Sequence, residues 1–346
     1  MQAHTMPSVT PINTADYASK YSSKQSSDPS STNNSGGRQT ASSSNASSDA
    51  SSDASSRWTI RRVLDWVTAD FVSRGIESPR LEAELLLSHV LRVDRMRLLL
   101  DRDRPLMTEE LTAYRGLVSR RRNHEPSAYL LGKREFYGHV FEVNRDVLIP
   151  RPDTETLVDV ALDRTRDQFM RGRMFDVCTG SGNVAVSFAM ERPTWTVMCT
   201  DLSRKAIGVA SRNSVRIGAA WNTFFGVGDL LGPMLGRVAE HGKADLITAN
   251  PPYIPTGDVD GLPEGIRNHE PRAALDGGSD GLDLVRKLIE QAPGCLEPDG
   301  VLAMEIGCDQ GVAVVRELER AGFRQVRLHK DLGKRDRVAS GIRPLK

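Results

Sequence analysis

The sequence predicts an α/β chain: a mostly parallel sheet with helices on both faces, preceded by a smaller helical unit and a polar tail. Three observations carry this. From about Met174 onward, short apolar runs alternate with amphipathic stretches, as in βα units. Between about 57 and 125 only helical periodicity is found. Residues 1–56 show neither pattern.

The tail is taken first. Serine makes up about half of residues 22–56, and "SSDASSDASS" is low in complexity. Such a stretch cannot bury enough apolar surface to offset about 1–2 kcal/mol per residue of backbone ordering, so disorder is expected. It has no apolar core like that of a secretory signal. It is Ser-rich, as transit peptides are, but has few arginines and several aspartates, which favours a plain tail.

In the helical unit, Ile60, Val63, Leu64, Val67 and Phe71 fall on one helical face. Ser78–Pro79 reads as an N-cap with proline at the first helical position. Leu81, Leu85, Leu86, Val90 and Leu91 follow as a second apolar face. Thr108 is expected to cap a third helix, with Glu109 and Glu110 in its first turn and Leu111, Tyr114, Leu117 and Val118 inward. The closing run Arg120–Arg121–Arg122 has two readings: a solvated C-terminal turn, or a patch for an acidic or RNA-bearing partner.

Further on, "MFDVC", "TVMCT", "ADLITA" and "GVLAMEI" read as buried strands. "NVAVSFAME", "RKAIGVASRNSV", "GLDLVRKLIEQA" and "GVAVVRELERAG" read as helices. Composition narrows the function. A net charge of +1 is a poor footprint for gripping long nucleic acid. No apolar run approaches a membrane span. Cys178, Cys199, Cys295 and Cys308 form no CxxC pair and fit reduced thiols in a cytoplasm. The scattered histidines give no metal motif, so no metal is expected.

Ligands of such sheets sit at the carboxyl ends of the strands. "FDVCTGSGNVAVSFA" is a strand, a glycine turn and a helix; Gly180 and Gly182 permit tight turning and close approach, and the helix start offers free N–H groups. "GSGNVA" also fits the permissive dinucleotide fingerprint, so a nicotinamide cofactor stays open here. Asp201, ending "TVMCTD", can accept both hydroxyl protons of a ribose, or it can cap the next helix. Asp229 and Leu230, in "VGDLL", can hold an adenine edge and face, or simply form a turn. "ADLITANPPYIP" ends a buried strand on Asn250. Its amide oxygen and the Pro251 carbonyl can accept two hydrogens from one planar nitrogen. Pro252 stiffens the corner, and the Tyr253 ring can stack on a planar group.

These residues resemble the S-adenosylmethionine-dependent amino-methyltransferases, which modify adenine N6, cytosine N4 or a glutamine amide. The stretches "EPSAYLLGKREFYGHVFEVNRDVLIPRPDTETLV", "HEPRAALDGGSDGLDLVRKLI", "AMEIGCDQG" and "DLGKRDRVASG" resemble the release-factor glutamine N5-methyltransferases of the HemK/PrmC type. The resemblance spans about residues 58–345. It implies a seven-stranded, Rossmann-like class I methyltransferase domain at 158–346, a helical substrate-recognition domain at 57–125 and a linker with a β-hairpin at 126–157. It implies S-adenosylmethionine as cofactor, held by Cys178, Thr179, Gly180, Ser181, Gly182, Asp201, Asp229, Leu230 and Asn250. It implies class-1 peptide-chain release factors as partners. Their Gly-Gly-Gln glutamine would be held by Asn250, Pro251, Pro252 and Tyr253, with Asn250, Pro251 and Tyr253 as the catalytic set. Phe136 is either a wall of that pocket or a core aromatic. "IPRPDTE" would form a lid, unless Arg151 and Glu155 merely pair across a turn. Cys178 stands where this family commonly has its first cradle glycine; related ribosomal-protein glutamine methyltransferases carry cysteine there.

The competing readings are adenine methylation, ribosomal-protein methylation, a non-catalytic translation-docking module and a nicotinamide dehydrogenase. An adenine methylase is expected to carry a target-recognition domain and a basic face. Asn-Pro-Pro-Tyr has no job in hydride transfer. The expectation is a cytoplasmic, monomeric enzyme without a stable nucleic-acid partner.

Overall fold

The computed structural model describes residues 57–168, 170–236 and 238–344. The Ser-rich tail lies outside the described residues. Helix α1 (Ile60–Ser73) starts where Thr59 Oγ1 accepts from Arg62 N and buries Ile60, Val63, Leu64, Val67 and Phe71, the spacing read from sequence. Helix α2 (Pro79–Leu91) differs from expectation. Ser78 precedes it in a left-handed conformation, and its side chain makes no capping bond. The buried positions are Ala83, Glu84, Leu86 and Leu87, while Leu81 is exposed. The cause is tertiary. Glu84 is held inside by Arg80 at 2.7 Å and by Arg95 of α3 (Arg95–Leu100), also at 2.7 Å.

Helix α4 (Thr108–Arg122) is capped by Glu110, whose carboxylate accepts from Met107 N at 2.9 Å; Thr108 is the first helical residue, not the cap. Tyr114 and Val118 are buried, and the Tyr114 hydroxyl donates to Ala83 O at 3.0 Å, tying α4 to α2. The arginine run does close the last turn of the helix, but its charges are paired. Arg120 pairs with Glu125, Arg121 with Glu82 of α2 and Arg122 with Asp70 of α1, at 2.7, 2.7 and 2.8 Å. Hydrogen bonds from Arg120, joined by Arg145, hold the Glu125 carboxyl down at about 2 despite its burial.

After α5 (Ser127–Leu131) comes a hairpin of β1 (Lys133–Phe136) and β2 (His139–Glu142). Its two turn residues, Tyr137 and Gly138, both have positive φ, the twist that suits a tight hairpin. A short turn at Pro152–Thr154 then leads into α6 (Glu155–Arg164).

The sheet strands are β3 (Arg173–Val177), β4 (Thr196–Asp201), β5 (Thr223–Val227), β6 (Ala244–Ala249), β7 (Leu296–Glu305), β8 (Arg324–Lys330) and β9 (Asp336–Ile342). Their spatial order is β5-β4-β3-β6-β7-β9-β8. The first five are parallel, and β9 runs antiparallel between β7 and β8. Helices α7 (Asn183–Glu191), α8 (Arg204–Ile217), α9 (Asp283–Cys295) and α10 (Gly311–Arg320) are the longer helices that follow β3. Alternate residues of one strand feed opposite faces. Phe175 and Val177 pack with Val285 and Leu288 of α9 and Val314 of α10. Met174 packs with Leu157 of α6 and Ala185 of α7. Strand order reverses between β3 and β6, which opens a crevice at their carboxyl ends.

Phe71 is fully buried in the helical core. Phe71→Ala should therefore cost about 3–5 kcal/mol of stability, read as a lowered urea midpoint.

Candidate active site

β3 ends at Val177 and the chain turns at once toward α7. Cys178, Gly180 and Gly182 take φ of 58°, 55° and 79°. The two glycines adopt this freely, whereas a side chain at Cys178 costs about 1–2 kcal/mol there. Gly182 also needs to be small, because a Cβ would lie 3.1 Å from Ala210 Cβ. Burial pushes the Cys178 thiol up, which favours its neutral form.

Neighbouring strands clamp this turn. Thr179 N donates to Thr200 O at 3.0 Å, and Gly180 N donates to Asp201 Oδ2 at 2.9 Å. Asp201 Oδ1 accepts from Ser203 N at 2.8 Å. Each Asp201 oxygen keeps a lone pair for a ligand. Ser203 itself caps α8, accepting from Ala206 N at 3.2 Å, so Asp201 is free of that duty. Burial raises the Asp201 pKa, and the two N–H donors oppose the rise.

A cavity of about 410 Å³ opens here, lined among others by Cys178, Gly180, Asp201, Asp229, Leu230 and Asn250. Thr179, Ser181 and Pro252 also reach it; Gly182, Pro251, Tyr253 and Phe136 do not line it. Leu230 is fixed at positive φ, with its carbonyl accepting from Thr200 Oγ1 at 2.9 Å. Asp176, a residue the sequence reading passed over, also lines the cavity. It accepts from Thr179 Oγ1 and Thr248 Oγ1, both at 2.6 Å, and burial raises it to about 6. A carboxylate inside the apolar run "MFDVC" was the available signal.

Asn250 follows β6. Its Nδ2 donates to Thr154 Oγ1 at 3.4 Å, and among the described residues Oδ1 has no partner. The Tyr253 hydroxyl donates to Glu305 Oε1 at 3.4 Å, which turns the side chain toward the end of β7. A second loop is moulded on this corner. Ile254 N donates to Leu275 O at 3.0 Å, Gly277 N to Ile254 O at 2.8 Å and Gln310 Nε2 to Tyr253 O at 2.8 Å. A Cβ on Gly277 would lie 2.6 Å from Pro252 O, and one on Gly281 would strike Tyr253 O.

Packing decides two readings that the sequence left open. Phe136 is a core aromatic, 2% exposed and edge-on to Phe141. Arg151 and Glu155 do not pair. Arg151 pairs with Glu270, whose second oxygen accepts from Ile149 N at 3.1 Å, and Glu155 accepts from Tyr137 N at 2.9 Å. The partners come from other segments, where no local spacing could reveal them. Thr154 and Glu305 also escaped the sequence reading. Both sit inside stretches quoted for the resemblance, but nothing in their spacing marks them.

The fold and this strand-end cavity define a methyltransferase. A family model described as "Methyltransferase small domain" matches residues 154–261, and one described as "PrmC N-terminal domain" matches residues 62–132. The "Release factor glutamine methyltransferase" of Geobacter sulfurreducens is 44% identical over 82% of this chain and 96% of its own length. The proteins of that name from Moorella thermoacetica and Bordetella pertussis are 41% and 42% identical, over 81% and 76% of this chain and 96% and 94% of theirs. The chain belongs to the release factor glutamine methyltransferase family. Among the described residues, no helix is long and apolar enough to cross a membrane.

Burial raises Glu305 to about 7, against hydrogen bonds from Thr154 and Tyr253 and the nearby Arg337 charge. The folded state thus keeps a proton that the unfolded chain releases at ordinary carboxylate pKa. Its contribution is complete at low pH and is lost as pH rises through about 7. Asp176 acts in the same direction, through about 6. Urea titrations should show stability falling from pH 5 to 8, and Glu305→Gln should flatten the upper part of that fall.

Proposed function

We propose that this chain transfers a methyl group from S-adenosylmethionine to the side-chain amide nitrogen of a glutamine, the one in the Gly-Gly-Gln motif of class-1 peptide-chain release factors. It would act in the cytoplasm as a monomer. The observation that carries this reading is the Asn250 corner. Asn250, whose amide oxygen has no partner among the described residues, lines the strand-end cavity. The names of the relatives support the choice of acceptor.

Bound S-adenosylmethionine supplies an electrophilic methyl on a sulfonium. Asp201 fits its ribose, since both oxygens keep a lone pair beside the turn they hold. Asp229 and Leu230 fit the adenine edge and face. The Cys178–Gly182 turn leaves room along the backbone for the remainder, with Thr179 and Ser181 on the same wall. On the acceptor side, Asn250 Oδ1 and the Pro251 carbonyl take the two hydrogens of the glutamine amide. That nitrogen is a weak nucleophile because its lone pair is delocalised. Two acceptors on its hydrogens raise its electron density and favour pyramidalisation as it attacks. Pro252 stiffens the corner, and Tyr253, anchored on Glu305, presents its ring. Rate then comes from positioning and electrostatics.

The test uses labelled S-adenosylmethionine with three acceptors: a release factor, the same factor with the motif glutamine changed, and duplex DNA. Label on the first alone is expected; label on the DNA, or on the changed factor, would overturn the reading. Asn250→Ala should abolish transfer with cofactor affinity nearly unchanged. Asp201→Ala should weaken cofactor binding by about 1.5–3 kcal/mol in calorimetry, through loss of two charge-assisted bonds.

A further inference from the structure

This inference rests on the reading above and concerns what holds the Asn250–Tyr253 corner in place. Pro251 and Pro252 have no N–H with which to anchor themselves. The Pro251 carbonyl is assigned to the substrate amide. The sheet does not help either, because the pairing of β6 with β7 ends at Ala249 and Met304. Beyond that point no ladder bond sets the spacing of the two chains. Another group has to do so.

Gln310 stands at the N-cap of α10, yet its side chain makes no capping bond there. The residue is buried, and its amide reaches across to the strand ends. Nε2 donates to Tyr253 O at 2.8 Å, and Oε1 accepts from Gly307 N at 2.9 Å. Both partners are backbone groups. A carbonyl can only accept and an N–H can only donate, so the amide has one permitted orientation. Glycines close the space around it. A Cβ on Gly307 would lie 3.0 Å from Gln310 Oε1, and one on Gly281 would lie 2.7 Å from Nε2. We propose that Gln310 is a positioning residue for methyl transfer: from the start of α10 it holds the Tyr253 peptide and so fixes the Pro251 carbonyl and the Tyr253 ring relative to Asn250.

The bridge replaces the missing ladder. Tyr253 follows β6, Gly307 follows β7, and these strands are neighbours. The Gln310 amide gives one hydrogen bond to the first chain and takes one from the second, as a peptide of an intervening strand would. It therefore carries the spacing of the two strands past the end of their pairing. Tyr253 is held at both ends, its carbonyl by Gln310 and its hydroxyl by Glu305 Oε1 at 3.4 Å. Gln310 does not line the cavity, so its effect on the chemistry passes through Tyr253. Transfer needs reacting atoms about 3–3.5 Å apart, and a shift of about 1 Å can cost about 100-fold in rate. A corner released at Tyr253 O gains freedom on that scale.

The experiment pairs kinetics with side-chain NMR on the full chain. Gln310→Met keeps the reach of the side chain and removes both bonds. It should lower kcat for release-factor methylation about 10- to 100-fold. KM for the release factor and the calorimetric affinity for S-adenosylmethionine should change little, the pattern of a group that acts only as the transition state forms. Gln310→Glu keeps an acceptor for Gly307 N but, assayed at about pH 9, sets a carboxylate against the Tyr253 carbonyl. Its kcat should fall at least as far. This variant is nearly isosteric, so it serves even where Gln310→Met does not fold. Tyrosine labelled with carbon-13 at Cζ gives a reading without substrate. The Tyr253 signal, identified by its loss in Tyr253→Phe, should shift in both variants. Wild-type kcat in either variant, or a Tyr253 signal unmoved in either, would overturn the proposal. If the signal moves but the wild type leaves release factors unmethylated, the bridge stands and the substrate reading fails.

Discussion

The backbone of Asn250–Tyr253 is the constraint on which the site depends. A strand that ended freely on an asparagine would leave its amide mobile. Here two prolines restrict the corner from within, and a second loop restricts it from without. Gly277 and Gly281 press against the Pro252 and Tyr253 carbonyls, where no side chain fits. Gln310 ties Tyr253 O from the far side. The glycines of "LDGGSDG" are thus needed for close approach as well as for their turns. Strand, corner and mould form one rigid piece.

The donor side uses a different economy of parts. Asp201 holds the glycine turn through Gly180 N, and it holds its own orientation through Ser203 N. One carboxylate therefore shapes the cradle and still faces the cavity. Cys178 adds a small strain at the same turn, in a conformation that glycine would take without cost. Buried carboxylates recur here: burial raises Asp176, in the cavity lining, and Glu305, beside Tyr253, well above the usual carboxylate range. A fold that keeps such groups inside loses stability toward neutral pH, because the folded chain holds protons that the unfolded chain releases.

The segment before α6 and the helical part are fastened by ion pairs. Arg151 and Glu270 fasten the segment before α6 to the loop that carries the glycine mould. Arg120, Arg121 and Arg122 are spent on Glu125, Glu82 and Asp70, so a run that looks like a basic patch leaves little free charge. This agrees with a chain whose net charge is +1.

Much of the architecture was legible before any coordinates. The apolar spacing of α1, the alternation of strands and helices from Met174, the glycine turn, Asp201 and the Asn-Pro-Pro-Tyr corner are local patterns, and local patterns are set by residues a few positions apart. The buried face of α2 was not legible, because Glu84 goes inside only when Arg95 arrives from another helix. Nor were the roles of Arg151, Thr154 and Glu305. Arg151 meets its partner 119 residues along the chain, and Thr154 meets Asn250 after 96. The sequence by itself determined which segments are strands and helices and which chemistry stands at the strand ends. Only the tertiary structure decided which buried charges are matched and which segments meet at the Asn250 corner, because those contacts exist only once distant segments have been brought together.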